Sequence, residues 1–493
     1  MTAKTEATSN LRPYFYLFLL TVGALFVHGY HPGVEDAEIY GPGIKKLLNP
    51  GLYPFGAEFF LNHARLTLFD ELIATSVRAT HLSFDLTIFL WYLASTFLTL
   101  LACWRLSAEC FRKPEAQWSA VALVAVLLTL SVAGTSLYIA DQYLTPRSIV
   151  TFAVLFSTLN ALKGRKMAWA MWSIAAICIH PLMALFGLSY TLILWWMRQQ
   201  RSNVVNKWSL LASAMFPLNV IPPLTNAYKE ALHTRPYFFL LQWHWYEWVG
   251  AIAPLFLLWW IARLSQKQSR PATHLMSRAL SIYGICYLVV GLVLTVPDRF
   301  QTVARFQPMR SLHLLYILMF LFLGGLIGEY VLQNRVWRWT ALFLPLCAVM
   351  FFAQRQLFPA SPHIELPNAA PTNDWLQAFD WIRHNTPTDA VFAIDPAYME
   401  KDDQHGFRVI AERSRLADAL KDSGAVTMFP DQPAPAHWLE QLTSERGWPH
   451  FDEKDFQRLK RKYGISWALI QEPICLTLKC PYENKTLFVC RVD

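Results

Sequence analysis

"YFYLFLLTVGALFVHGYHPGVEDAEIYGPG", from Tyr14 to Gly43, changes character half-way along. Up to Tyr30 it holds no Asp, Glu, Lys or Arg and has the length of a membrane span. Immediately afterwards Glu35, Asp36 and Glu38 stand within four residues. Carboxylates just past a helix end read either as a solvated cap or as a reactive cluster at a membrane surface. No small-x-small cleavage site follows the apolar run, so it is expected to be a retained first helix.

Composition extends the membrane reading to the whole chain. Of 493 residues 54% are hydrophobic and only 16% charged, and 20 Trp and 33 Phe are a heavy aromatic load for a soluble domain. Apolar stretches at about 14–30, 84–104, 118–139, 147–162, 167–180, 182–197, 208–224, 248–264, 279–297, 311–331 and 337–353 predict eleven helices. Basic clusters separate them: Arg105/Arg112/Lys113, Lys163/Arg165/Lys166, Arg198/Arg201/Lys207, Arg263/Lys267/Arg270/Arg278 and Arg335/Arg338. With the amino terminus inside, every cluster falls on the cytoplasmic side. The net charge of +8 therefore has a topological origin, and no nucleic-acid partner is expected.

Arg165 and Arg198 are two such anchors with only about thirty apolar residues between them. A single helix would put one anchor outside, and two full spans need ~20 residues each. Two short helices meeting near "CIHPLM" resolve this, because Pro181 removes a backbone donor. Broken helices at membrane depth line protein cavities, which places His180 near one.

An odd span count puts the carboxyl terminus outside. The predicted organisation is a transmembrane part over 1–356, a Pro-rich linker over 357–372 and a small extracytoplasmic α/β domain over 373–493. The outer loop 31–83 reads as two juxtamembrane amphipathic helices, "AEIYGPGIKKLL" and "AEFFLNHARLTLFDELIATSVRATHL", separated by "NPGLYP". In the tail, strands are expected within "DAVFAIDP", "YGISWALIQE" and "TLFVCRVD". Cys475, Cys480 and Cys490 permit one disulfide and a leftover thiol in an exported tail, with Cys480–Cys490 favoured as a hairpin staple. A three-cysteine metal site without a nearby His is the weaker alternative. Cys103, Cys110, Cys178, Cys286 and Cys347 fall in or beside apolar spans, where packing is their expected role.

Three further outer segments, "YIADQYLTPRS", "YKEALHTRPYFFLLQWHWYEW" and "PDRFQTVARFQPMRSLH", mix arginines, aromatics and carboxylates. They place Tyr143, Arg147, Arg235, Arg299, Arg305 and Arg310 on the face that holds Glu35, Asp36 and Glu38. Each arginine could equally be an anchor or a charge partner, and Trp243, Trp245 and Trp248 read as interfacial anchors.

This layout resembles the GT-C class of membrane glycosyltransferases, which includes protein O-mannosyltransferases and bacterial aminoarabinose transferases. The tail pieces "WIRHNTPTDAVFAIDP" and "GFRVIAERSRLAD" are similar to those of uncharacterised bacterial members. The resemblance implies a bacterial inner-membrane enzyme moving a sugar from a polyprenyl-phosphate donor, with inversion, onto an acceptor outside. Membrane lipid and the lipid-linked sugar are the implied partners. It implies Asp36 as catalytic base, with Glu35 and Glu38 as rivals, and Arg305 and Arg310 as phosphate binders. Arg147, Arg235, His180 and Tyr143 are further substrate-binding candidates. The acidic cluster reads "EDAE" with no DxD, so a divalent metal on Glu35 or Asp36 is an option and no cofactor is required. The chemistry is coherent, since arginine forks bind phosphate oxygens bidentately and offset the charge developing on the leaving group. A polymerase or ligase of surface polysaccharide would use the same arginines. A transporter or flippase of lipid-linked sugars is disfavoured, because no internal repeat is evident and mid-span charge is nearly absent.

Overall fold

The computed structural model describes residues 3–64, 66–199, 224–296, 298–429, 433–471 and 478–493. The first apolar run forms helix α1 (Ala3–His28). The loop behind it carries three helices where two were expected: α2 (Ala37–Leu48), α3 (Glu58–Ala64) and α4 (Phe69–Thr80). The second predicted helix breaks before Phe69, and there the Leu68 N–H donates to the Cys178 carbonyl at 2.8 Å. That tertiary bond rewards the break, and no local sequence pattern encodes it.

Helix α5 (Phe84–Cys110) starts at Ser83, whose hydroxyl accepts the Leu86 N–H. Helix α6 (Pro114–Val126) has only 13 residues, so the apolar run 118–139 is not one helix. Its second half is a hairpin, β1 (Ser131–Val132) against β2 (Leu137–Tyr138). Gly134 makes that turn possible: at φ +62° it lies flat beneath Trp243, whose ring a Cβ would meet at 2.4 Å. Trp243 is accordingly a buried packing residue and not an interfacial anchor, whereas Trp245 is 75% exposed.

Helices α7 (Pro146–Lys163), α8 (Lys166–Ile179) and α9 (Pro181–Gln199) follow. The chain breaks at His180, between α8 and α9, where Pro181 begins the next helix. The predicted span 208–224 lies outside the described residues, apart from Leu224 at its end. Then come α10 (Asn226–His233), α11 (Trp245–Lys267), α12 (Pro271–Thr295), α13 (Leu312–Ile327) and α14 (Val336–Leu357).

Among the described residues, six helical stretches are long and apolar enough to cross a bilayer: Leu11–His28, Phe84–Cys110, Trp245–Lys267, Pro271–Thr295, Phe300–Leu332 and Val336–Leu357. The chain is thus a helical membrane protein, with six such stretches where eleven spans were predicted. Helices α6 and α8, of 13 and 14 residues, fall short of the ~20 a span requires.

The tail forms a mixed five-stranded sheet in the order β4 (Ser414–Arg415), β3 (Val391–Ile394), β5 (Trp467–Ile470), β7 (Phe488–Arg491), β6 (Tyr482–Glu483). β3 is parallel to both β4 and β5, and β7 is antiparallel to both β5 and β6. Alternate residues of β3 and β5 feed two cores: Phe392, Ile394, Trp467 and Leu469 on one face, Val391, Ala393, Ala468 and Ile470 on the other. Helices α15 (Asp374–Asn385), α16 (Tyr398–Lys401), α17 (Phe407–Ala411), α18 (Lys421–Thr427), α19 (Ala434–Ser444) and α20 (Glu453–Tyr463) complete the tail.

The segment 357–372 is tied down, unlike a free linker. Ile364 bridges Tyr30 in parallel, and Glu365 N–H donates to the Tyr30 carbonyl at 2.9 Å. Cys480 is disulfide-bonded to Cys490, Cys475 lies outside the described residues, and the other five cysteines are free. A bridge with a sequence separation of 10 removes about 2–3 kcal/mol of loop-closure entropy from the unfolded chain. Cys480→Ser should therefore destabilise the tail by about that amount. Pulse proteolysis in urea reads the change; an unmoved midpoint contradicts it.

Candidate functional site

The three carboxylates after α1 do not share one fate. Glu35 sits in the left-handed region at φ +55°, a conformation costing a non-glycine residue about 1 kcal/mol. Its N–H donates to the Gln404 carbonyl at 3.0 Å, which pins the bend. Beyond the bend Asp36 occupies the position before α2, and Glu38 lies in the first turn of that helix.

Glu38 is fully buried against the tail. It accepts the N–H groups of Arg408 at 3.1 Å and Val409 at 3.2 Å, so it caps α17 from a different part of the chain. Gly406 allows the approach, since a Cβ there would fall 2.4 Å from Glu38 Oε2. The Arg408 guanidinium is then held bidentately by Asp422 at 2.9 and 2.7 Å. Glu38 thus stands in a structural network and lines none of the cleft described next.

Asp36 and Glu35 turn the other way. Asp36 Oδ2 accepts Arg147 Nη1 at 2.9 Å, its Oδ1 lies 3.4 Å from Lys421 Nζ, and its N–H donates to the Tyr143 hydroxyl at 3.1 Å. Lys421 also bonds the Glu35 carboxylate. Behind them Asp141 Oδ2 accepts Arg147 Nε at 3.2 Å and Nη2 at 3.0 Å, which fixes the guanidinium. Thr145 orients the start of α7 by a capping box with Ser148. Burial opposes ionisation of Asp36, but Lys421, then Arg147, with Arg310 beyond, hold its carboxyl well below the usual range. The cations therefore favour the ionised form of Asp36.

Of these groups Asp36, Arg147 and Lys421 line a cleft of about 600 Å³, open solvent included. Asp36, Tyr40, Arg147, His180, Arg235, Tyr237, Gln307, Arg310 and Lys421 contribute its polar surface, and Leu182, Phe238 and Met428 part of its apolar surface. Among the described residues four cationic side chains therefore face one carboxylate. Arg235 Nη2 donates to Ser423 Oγ at 3.0 Å. Arg235 Nε, Arg310 Nε and Gln307 Oε1 are buried with no hydrogen-bond partner among the described residues. Unpaired buried donors are costly, and guanidinium donors aimed at a cleft suit an anion.

Arg305 stands apart from that lining: its Nη1 donates to the Met428 carbonyl at 3.4 Å. The side chain of Arg299 lies outside the described residues. On the far side of Arg147 a second cleft, of about 420 Å³ with open solvent included, is lined by residues that include Tyr92, Thr99, Tyr138, Asp141 and His313.

Of the residues expected from the sequence, the structure brings Asp36, Tyr143, Arg147, His180, Arg235 and Arg310 together, and it adds Lys421, Asp141 and Gln307, which the sequence reading did not include. Lys421 is 385 residues from Asp36, and its surroundings, "LADALKDSGAV", read as an ordinary solvated helix start. A metal on Glu35 or Asp36 would compete with Lys421 and Arg147 for the same oxygens. Among the described residues the group with metal-ligand spacing is instead His31, Glu365 and His405.

Comparison with known proteins bears on one part of this site. Residues 373–422 match the Domain of unknown function DUF6798. No curated protein matches the chain. The DUF6798 match takes in Arg408, which faces Glu38, Lys421, which meets Glu35 and Asp36, and Asp422, which holds Arg408.

Removing Glu38 leaves two helix N–H groups and part of a buried guanidinium without their acceptor. Glu38→Ala should lower stability by about 3 kcal/mol, seen as an earlier thermal transition in detergent. A transition matching the wild type would contradict the capping role.

Proposed function

We propose that the chain is a membrane glycosyltransferase of the GT-C kind, moving a sugar from a polyprenyl-phosphate donor to an acceptor on the extracytoplasmic face. The observation that carries this reading is the cleft in which Arg147, Arg235, Arg310 and Lys421 surround Asp36. It adjoins the helix break at His180 and the apolar helices, which suits a donor that is anionic at one end and a hydrocarbon at the other. In the proposed topology the amino terminus and all basic clusters are cytoplasmic, the chain crosses an odd number of times, and the disulfide-bonded tail is outside. Helices α8 and α9 together enter and leave on the cytoplasmic side.

The reaction follows from the charges. The acceptor hydroxyl attacks the anomeric carbon, the bond from that carbon to the phosphate oxygen breaks, and the polyprenyl phosphate leaves with the electron pair. The arginines and Lys421 stabilise the charge growing on that phosphate. The hydroxyl proton passes to Asp36, with Glu35 as the rival acceptor. A carboxylate held by two cations is a weak base, because efficiency follows basicity. Entry of the phosphate corrects this: it competes for Arg147 and Lys421, weakens their hold on Asp36 and raises its basicity.

A transfer assay with purified full-length protein and a panel of polyprenyl-phosphate sugars tests the reading. Asp36→Asn should lower kcat roughly 10²–10⁴-fold. Arg310→Ala should weaken donor binding roughly tenfold or more, while Arg305→Ala, whose side chain is turned to the Met428 carbonyl, changes it less. Normal turnover by Asp36→Asn would remove it as the base. Unaltered donor affinity in Arg310→Ala would remove the phosphate assignment.

A further inference from the structure

Where the first loop, the 357–372 segment and the tail meet, His31, Glu365 and His405 bring one ligand-type atom each to within 4.8 Å of the others. His31 Nδ1 lies 3.0 Å from Glu365 Oε1, and His405 Nε2 lies 3.1 and 3.2 Å from the two Glu365 oxygens. Both imidazoles are buried, at 0% and 1% exposure, so solvent does not complete their bonding. His31 is sandwiched against Phe358 with ring centroids 4.0 Å apart. Its Nε2 has no hydrogen-bond partner among the described residues.

A plain hydrogen-bonded cluster is the simpler alternative, in which two imidazoles converge on one carboxylate. The surroundings are those of a ligand set. His405 Nδ1 is 2.6 Å from Asp403 Oδ1, and Asp403 in turn accepts from Asn373 Nδ2 at 2.5 Å. A metal-binding histidine characteristically gives its other ring N–H to a carboxylate, which orients the ring and raises its basicity. Tetrahedral ligands at the usual metal–nitrogen and metal–oxygen lengths sit roughly 3.3 Å apart, close to the nitrogen–oxygen separations here.

We propose that His31, His405 and Glu365 bind one divalent transition-metal ion, with Asp403 fixing the His405 ring. Two imidazoles and a carboxylate select zinc among abundant ions and disfavour calcium and magnesium, which prefer all-oxygen shells. Three protein ligands leave a fourth position for water. The site is a clamp. His31 lies four and five residues before Glu35 and Asp36. The backbone beside it is already paired to the tail, through the Val34–His405 bridge and the Gly406 N–H to the Gly33 carbonyl at 2.8 Å. A metal there holds the turn carrying Asp36 against the part of the chain that presents Lys421, and takes no part in the chemistry at Asp36.

Metal analysis of full-length protein, purified without chelator, tests the assignment without any sugar transfer, so its outcome is separable from that of the proposed activity. About one zinc per chain is expected. Chelated protein should regain its thermal transition on adding zinc, and added Co²⁺ should give the visible absorption of a tetrahedral site. Glu365→Gln, which keeps the side-chain shape, should lose the retained zinc while matching the chelated wild type in its thermal transition. Asp403→Asn should bind zinc roughly 10–100-fold more weakly. The assignment is overturned if the wild type retains no zinc and neither zinc nor Co²⁺ changes it, or if Glu365→Gln retains zinc undiminished.

Discussion

The ionised carboxylate of Asp36, gripped by Arg147 from one side and Lys421 from the other, is the interaction on which the arrangement of this chain depends. Its partners lie 111 and 385 residues away, one at the start of α7 and one at the start of α18. One side chain thereby registers a helical bundle, a surface loop and a tail against one another. Ion pairs withdrawn from water are costly unless geometry is good and the remaining donors are satisfied. Here Asp141 completes Arg147 and Glu35 completes Lys421, so the group forms a closed relay with Asp36 at its centre.

The acidic cluster after the first helix thus divides its labour. Glu38 is spent on architecture, capping α17 and facing Arg408. Asp36 remains at the cleft, and Glu35, with a side chain 38% exposed, holds Lys421 beside it. The left-handed bend at Glu35 delivers the chain to α2, and there Asp36 and Glu38, two residues apart, fall roughly half a turn from each other around the helix. Backbone strain of this kind at a functional loop persists only where the surroundings over-determine it, and the bond from Glu35 N–H to Gln404 supplies part of that constraint.

What was legible in the sequence was local or compositional. The first helix, the break at His180–Pro181, the strands at Val391, Trp467 and Phe488 and the cysteine pair all follow from short-range patterns of apolarity, proline and spacing. The arginine-bearing loops are also visible in the sequence, and the structure brings Arg147, Arg235 and Arg310 of them to one cleft. The failures have tertiary causes. The 131–138 hairpin is as apolar as a span, and only the closeness of Gly134 to Trp243 reveals it. Strands β4 and β6, at two residues each, have no periodicity to detect. Lys421 and His405 look like surface residues until the tail is laid against the first loop. The Pro-rich stretch 357–372 reads as a tether, yet its pairing with Tyr30 brings Glu365 into a buried cluster.

The central claim is that the cleft around Asp36 holds the phosphate of a membrane lipid. Native mass spectrometry of the full-length protein, released from micelles containing equal amounts of a polyprenyl phosphate and the corresponding uncharged polyprenol, measures this most directly. Selective retention of the phosphate, lost in Arg310→Ala, is the expected result. Equal retention of both lipids, or a preference for the phosphate that survives Arg310→Ala unchanged, would contradict it.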